Sequence, residues 1–179
     1  MSAGFLTQAQ IEELRGFPSI SDDELLRYFT LTEADIAFLS PSAGRDAASR
    51  LGLAVQMCTL PWLGFVPADL SGVPAVALAR LATALSVNPD LLASYGSRGQ
   101  TRSDHLKLVA GRLGWAPLPA EGPLRQALES FLLDRAMEHD SPMLLLNLAF
   151  EFLAARKTIR PGAVVMIRMV GSARQLRSS

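Results

Sequence analysis

The stretch Gly44–Gly64, GRDAASRLGLAVQMCTLPWLG, decides how the rest of the chain is read. Two arginines, Arg45 and Arg50, stand five residues apart at its start, so they are only partly in line on a helix. Leu51, Ala54, Val55 and Cys58 then follow the i, i+3, i+4, i+7 spacing of an amphipathic helix. The spacing predicts a helix over about 46–60. Pro61 is expected to stop it, and Trp62 and Phe65 to fold back as an aromatic lid. The reading is a core helix with a basic, polar beginning.

Outward from this stretch, helix-start signals recur. Thr7 with Gln10, Ser21 with Glu24, Thr32 with Asp35, and Thr101 with Asp104 each have the spacing of a capping box. Asn88-Pro89 and Ser141-Pro142 pair a capping residue with a first-turn proline. Pro74 reads as the first residue of a helix whose Val76, Leu78, Leu81 and Leu85 are available to a core, and Pro123 opens another through about Glu138. Leu106, Val109 and Leu113 form one apolar face of the helix after Thr101. GAVVMIRMV (162–170) is rich in β-branched residues, and Pro161 assigns it helical. No segment alternates with period two, so the fold class is all-α, with helix-turn-helix-like architecture. APLPAEGP (116–123) is turn-prone and separates two expected helical subdomains, 1–118 and 119–179.

Composition narrows the function classes. Of the 179 residues 49% are hydrophobic and 19% charged, the signature of a folding chain with one large core or two small ones. The net charge is zero and the pI about 6.7, which argues against a uniformly cationic polyanion binder. The charge is unevenly placed. Residues 1–40 carry seven acids and two bases, a balance of −5; residues 152–179 carry six bases and no acid, +6. That asymmetry suits a basic face for nucleic acid, or association of acidic with basic ends.

The lone Cys58 excludes an intrachain disulfide and fits a reducing compartment, and no signal segment follows Met1, so a cytoplasmic location is expected. The uncharged run 51–68 contains Gln56, Thr59, Pro61, Gly64 and Pro67, which reads as a buried helix and turn rather than a membrane span of ~20 apolar residues.

Catalytic and metal-binding patterns are weak. Ser141, His139 and Asp140 read as helix-end residues, Cys58 and His105 are far apart, and two histidines with one cysteine lack ligand spacing. No cofactor, metal or catalytic residue is assigned. The informative constellation is PDLLASYGSRGQTRSDHLKLVAGRLG (89–114), two short helices around a Gly-containing turn. The second would carry Arg98, Gln100, Thr101, Arg102, His105 and Lys107 near its N-terminus, where free backbone N–H groups favour phosphate. Arginine can read guanine bidentately and glutamine adenine. Solvated surface charge, with Thr101 and Asp104 as caps only, is the competing reading of the same residues.

Several runs now resemble one family. RYFTLTEADIAFL (27–39), RLGLAVQMC (50–58), YGSRGQTRSDHL (95–106), LGW (113–115) and LLDRAMEHDSPMLLLNLAFEFLAARKTIRPG (132–162), after the opening FLTQAQIEELRGFP, are similar to the N-terminal region of the Tn-three family of replicative transposases. The resemblance implies a helical region that binds the terminal inverted repeats of a transposon. It also implies that strand cutting belongs to a separate RNase-H-like domain with an Asp, Asp, Glu metal site, so these 179 residues are expected to recognise DNA without cutting it, as a fragment or a truncated gene product. Ser49 stands where the family commonly has Asn, and Pro61 where it commonly has a basic residue. The expected partner is double-stranded DNA, with a second copy or the rest of a longer transposase as further partners and no membrane. The expected contacts are Arg98, Gln100, Thr101, Arg102, His105 and Lys107, with Arg45, Arg50, Arg156, Lys157 and Arg160 on phosphates. A helical interaction or dimerisation module without DNA contact is the alternative.

Overall fold

The structure, a computed structural model, describes residues 6–41, 44–97 and 99–179. It is all-α apart from one two-residue strand pair, and its contacts gather into two units. A central unit spans Gly16–Gly114; a terminal unit joins the described part of Met1–Arg15 to Trp115–Ser179. The C-terminal side of this division falls within a few residues of the turn-prone 116–123 segment, while the first helix is grouped with the last ones.

In the central unit, α2 (Asp22–Tyr28) and α3 (Glu33–Phe38) are short helices opened by reciprocal caps. The Glu24 amide donates to Ser21 Oγ at 3.1 Å and the Ser21 amide to Glu24 Oε1 at 3.0 Å; Thr32 and Asp35 repeat this at 3.1 and 2.9 Å. Each exchange satisfies two N–H groups the first turn would leave bare. They lead into α4 (Ala47–Leu63), capped by Asp46, whose Oδ1 accepts from the Ser49 amide at 2.8 Å.

All ten residues from Leu51 to Leu60 are buried, including Gln56 and Thr59. The one-sided burial expected from the spacing is therefore corrected: α2, α5 (Ala75–Leu85), α6 (Gly99–Leu113) and the 3-10 segment Pro89–Ser94 all pack on α4. The part of α4 after Arg50 carries no charge and can be covered all round at no ionic cost. Pro61 does not stop α4, which runs to Leu63 and closes at Gly64. In the last turn a proline removes a single N–H donor, and the buried helix keeps its packing. Beyond it Trp62 meets Phe29 edge-on at 5.6 Å and donates its indole N–H to Glu24 Oε2 at 2.9 Å, half-buried.

Other expectations shift by a residue or a face. Pro74 is the N-cap of α5 rather than its first residue; Leu81 and Leu85 are buried, but Val76 is 57% exposed. Pro89–Ser94 winds as 3-10 helix, and α6 begins at Gly99, so Thr101 lies within its first turn and does not cap it. Leu106 is only half-buried; Val109 and Ala110 are the buried residues of α6.

In the terminal unit, α1 (Gln8–Arg15) opens with the Thr7–Gln10 exchange at 2.9 and 3.1 Å. α7 (Pro123–Glu138) and α8 (Pro142–Ala155) start with proline at the first turn, and Ser141 Oγ accepts from the Leu144 amide at 3.2 Å. The 162–170 segment is helical, within α9 (Ala163–Arg177). Their shared core includes Leu6, Ile11, Leu128, Leu132, Leu145 and Met166. β1 (Ala116–Pro117) pairs in parallel with β2 (Thr158–Ile159) beside the half-turn at Lys157, whose φ is +47°.

Candidate nucleic-acid interface

The N-terminal part of α6 is held on α4 by a chain of polar groups. Gln56, buried on α4, donates from Nε2 to the Tyr95 hydroxyl at 2.8 Å, and that oxygen lies 2.7 Å from His105 Nδ1. The Tyr95 oxygen and His105 Nδ1 share one hydrogen bond, whose direction is set by the imidazole tautomer. The Tyr95 and His105 rings stack with centroids 5.6 Å apart. Tyr95 lies flat on Gly52, where a Cβ would sit 2.3 Å from its ring carbons, so a side chain at 52 would expel the tyrosine. Burial pushes the Tyr95 phenol up to about 12. Burial, and then the charge of Arg45, hold His105 below the ordinary imidazole value.

Arg102 points the other way. Its Nη1 donates to the Ala68 carbonyl, and its own carbonyl accepts from Gln56 Nε2 at 3.5 Å. Its aliphatic stem covers Gly96, whose φ of +65° suits the turn into α6. Between this contact and α4 lies a hollow of about 340 Å³, lined by Gln56, Val66, Leu70, Arg102 and Leu106 among others. What α6 offers to solvent is the face of Gln100, Ser103, Asp104, Lys107, Leu108 and Gly111. Gln100 Nε2 donates to Asp104 Oδ1 at 2.8 Å on that face.

The residues named from sequence thus fall into distinct positions. Gln100 and Lys107 face outward, Thr101 is half-buried in the first turn, and Arg102 and His105 are engaged inward. Arg98 lies outside the described residues. Arg45 donates from Nη1 to the Phe38 carbonyl at 2.7 Å, its guanidinium 5.1 Å from the Phe38 ring. Arg50 braces the loop ends around α4, donating to the Leu39 carbonyl at 2.8 Å and the Leu85 carbonyl at 3.5 Å.

In the terminal unit Arg156 stacks 3.5 Å over Phe152 and donates to its carbonyl, and exposed Lys157 sits at the strand pair. Arg160 lies 3.9 Å over Phe150 and reaches the Leu14 carbonyl at 3.4 Å; burial lowers its guanidinium to about 10. Most of these cations serve backbone carbonyls and aromatic faces, a use of arginine that charge counting does not reveal.

Sequence reading missed Gln56, Tyr95 and Gly52. The signal available was an amide in the middle of the uncharged run 51–68, which demands a polar partner when buried. It also missed Arg112, which pairs with Asp35 at 3.1 Å and lies 4.7 Å over Phe38. The residues weighed for hydrolysis have other occupations: Ser141 caps α8, Asp140 pairs with Arg177 at 2.8 Å, and burial pushes the Cys58 thiol up to about 12. Among the described residues no three His, Cys, Asp or Glu groups gather as metal ligands, and no helix is long and apolar enough to cross a membrane.

Comparison with known proteins places this chain in a family. The chain is 29% identical over 178 residues to the transposase for transposon gamma-delta of Escherichia coli (strain K12), covering 98% of this chain and 18% of that protein. It is 34% identical over 165 residues to the transposase for transposon Tn2501 of Escherichia coli, covering 90% and 16%. It is 30% identical over 153 residues to the transposase for transposon Tn501 of Pseudomonas aeruginosa, covering 86% and 15%. The chain therefore spans less than a fifth of the length of these relatives. Residues 5–173 match the family described as a domain of unknown function, DUF4158, and the chain, a transposase-related region, belongs to that family.

Proposed function

We propose that this chain is a DNA-recognition region of a transposase, binding the terminal inverted repeats of a transposon and leaving strand cutting to residues elsewhere. The observation that carries this reading is the likeness to transposases over 98% of the chain. The outward face of α6 is the surface assigned to DNA. Gln100 and Lys107 are offered to solvent there, Thr101 lies at its edge, and Arg98 adjoins it in sequence. Gln100 can pair with a base edge once released from Asp104, and Lys107 with a phosphate. Arg102 and His105 support that face from behind: they fix how α6 sits on α4 rather than reading bases. Arg45 and Arg50 do the same for the start of α4. The remaining partners in this reading are the rest of a longer transposase chain or a second copy.

Fluorescence anisotropy with a transposon-end duplex and a scrambled duplex tests the proposal. The expected result is preference for the end sequence. Neutralising about four to six phosphates gives a log–log salt slope of roughly −4 to −5. Lys107→Ala should weaken both duplexes alike and reduce the slope by about 1, with an unchanged melting temperature. Equal, salt-independent affinity for both duplexes would overturn the reading in favour of a protein-interaction module built on the acidic and basic ends.

A further inference from the structure

The last helix carries a second surface of opposite character to its buried side. Val164, Arg168, Ser172 and Leu176 recur every four residues along the outside of α9, and all four are exposed. Beside this ridge, α7 contributes Arg125 and Glu129 to a groove of about 220 Å³ shared with Arg168, Ser172 and Leu176. The other tail arginines are occupied. Arg177 ties the end of α9 to Asp140 and to the carbonyls of Ala136 and His139. Arg156 and Arg160 lie on phenylalanine rings. Arg168, by contrast, is exposed and in no ion pair among the described residues, and the carboxylate that shares its groove, Glu129, lies beside Arg125. Arg125 is available in part: its Nε is 3.6 Å from Glu129, its side chain 25% exposed and that of Glu129 59% exposed.

We propose that the α7–α9 groove binds a phosphodiester backbone, with Arg168 and Arg125 on phosphate oxygens and the Ser172 hydroxyl as a neutral donor. This rests on the DNA reading above and extends it to the terminal unit. The chemistry follows from the groove's composition: two guanidiniums, which match phosphate geometry, a hydroxyl, and an apolar wall of Leu176 suited to a sugar. The contacts assigned are to backbone phosphate and sugar, which are the same at every base pair, so the binding is independent of sequence. Glu129 opposes it, and its exchange for Arg125 governs the strength of the site.

The test uses the full chain and fluorescein-labelled duplex, titrated at several KCl concentrations beside sedimentation velocity without DNA. Arg168→Ala should weaken binding roughly five- to tenfold near 0.1 M salt and remove about 0.9 from the slope, equally for specific and scrambled duplex. Its melting temperature should not move, because the side chain is exposed. Glu129→Gln should strengthen binding, a sign that a merely structural role would not give. Wild-type affinity and slope in Arg168→Ala would overturn the groove while leaving the α6 proposal standing; no DNA binding by the wild type would overturn both. A change in self-association with unaltered DNA affinity would assign the groove to a protein surface and overturn the proposal. Weakening by Arg168→Ala without strengthening by Glu129→Gln would remove Arg125 from the site and overturn the paired cradle.

Discussion

α6 and α9 are both fifteen residues long, and they are held in their units by different physics. α9 buries Met166, Ile167, Met169, Val170 and Ala173, whereas α6 buries only Val109 and Ala110. What α6 lacks in apolar area it replaces with directed contacts at its N-terminal half, through Gln56, Tyr95, His105 and the Ala68 carbonyl. Area burial is non-directional and forgiving of small shifts. Hydrogen bonds fix orientation and fail abruptly when one member is removed. A helix whose outward face has to meet a partner in one orientation is better served by the second arrangement.

The largest expected effect would sharpen the contrast from the α9 side. Met166 is fully buried, and Met166→Ala should cost ~2–5 kcal/mol through lost transfer and a residual cavity. Thermal or urea unfolding followed by circular dichroism measures it. A loss below 1 kcal/mol would mean that α9 is not held by area.

Next in size is Tyr95→Phe, which keeps the ring on Gly52 and removes only the hydroxyl. His105 Nδ1 then loses its partner and Gln56 Nε2 keeps only the 3.5 Å contact to the Arg102 carbonyl, at a cost of ~1–3 kcal/mol. If melting temperature and His105 chemical shifts both stay as in wild type, the polar chain contributes nothing and the comparison breaks.

The smallest effect is on pH dependence. His105 in the folded chain has a pKa below its ordinary 6.5, because burial and then Arg45 disfavour the cation. The unfolded chain therefore binds protons first, so stability is full above about pH 6.5 and declines as pH falls through the lower folded value. In the cation both ring nitrogens carry protons, so Nδ1 can only donate to the tyrosine oxygen. Unfolding at successive pH values from 7 to 5 should show stability falling in wild type and a shallower fall in His105→Gln. An identical slope in both would detach His105 from the network.

Much of the fold was readable from short-range chemistry. The exchanges at Thr7, Ser21 and Thr32 involve residues three apart, so their spacing alone placed three helix starts. The same rule failed at Thr101. There the helix starts two residues earlier, at Gly99, and its first turn is tied to residues far off in sequence, Arg102 to the Ala68 carbonyl and Gln56 to the Arg102 carbonyl. Of the candidate contacts, the sequence gathered Gln100, Thr101, Arg102, His105 and Lys107 on one helix, since proximity in a helix follows from numbering. It could not sort them into outward and inward, because burial depends on what packs from the other side. The charge of Arg50 and Arg160 is legible locally, but their carbonyl and ring partners lie ten or more residues away.

Sequence alone therefore determined the helical class, the helix starts set by local caps, the charge asymmetry and the likeness to transposases. Tertiary structure decided which side of each helix faces solvent, that α4 is covered all round, that the first helix joins the last ones, and that Gln56, Tyr95 and His105 form one chain of hydrogen bonds. The dividing line is range. Caps and periodicity act over three or four residues and are written in order along the chain. Desolvation and hydrogen-bond partnering act between residues such as 56 and 95, whose meeting depends on the packing of everything between them.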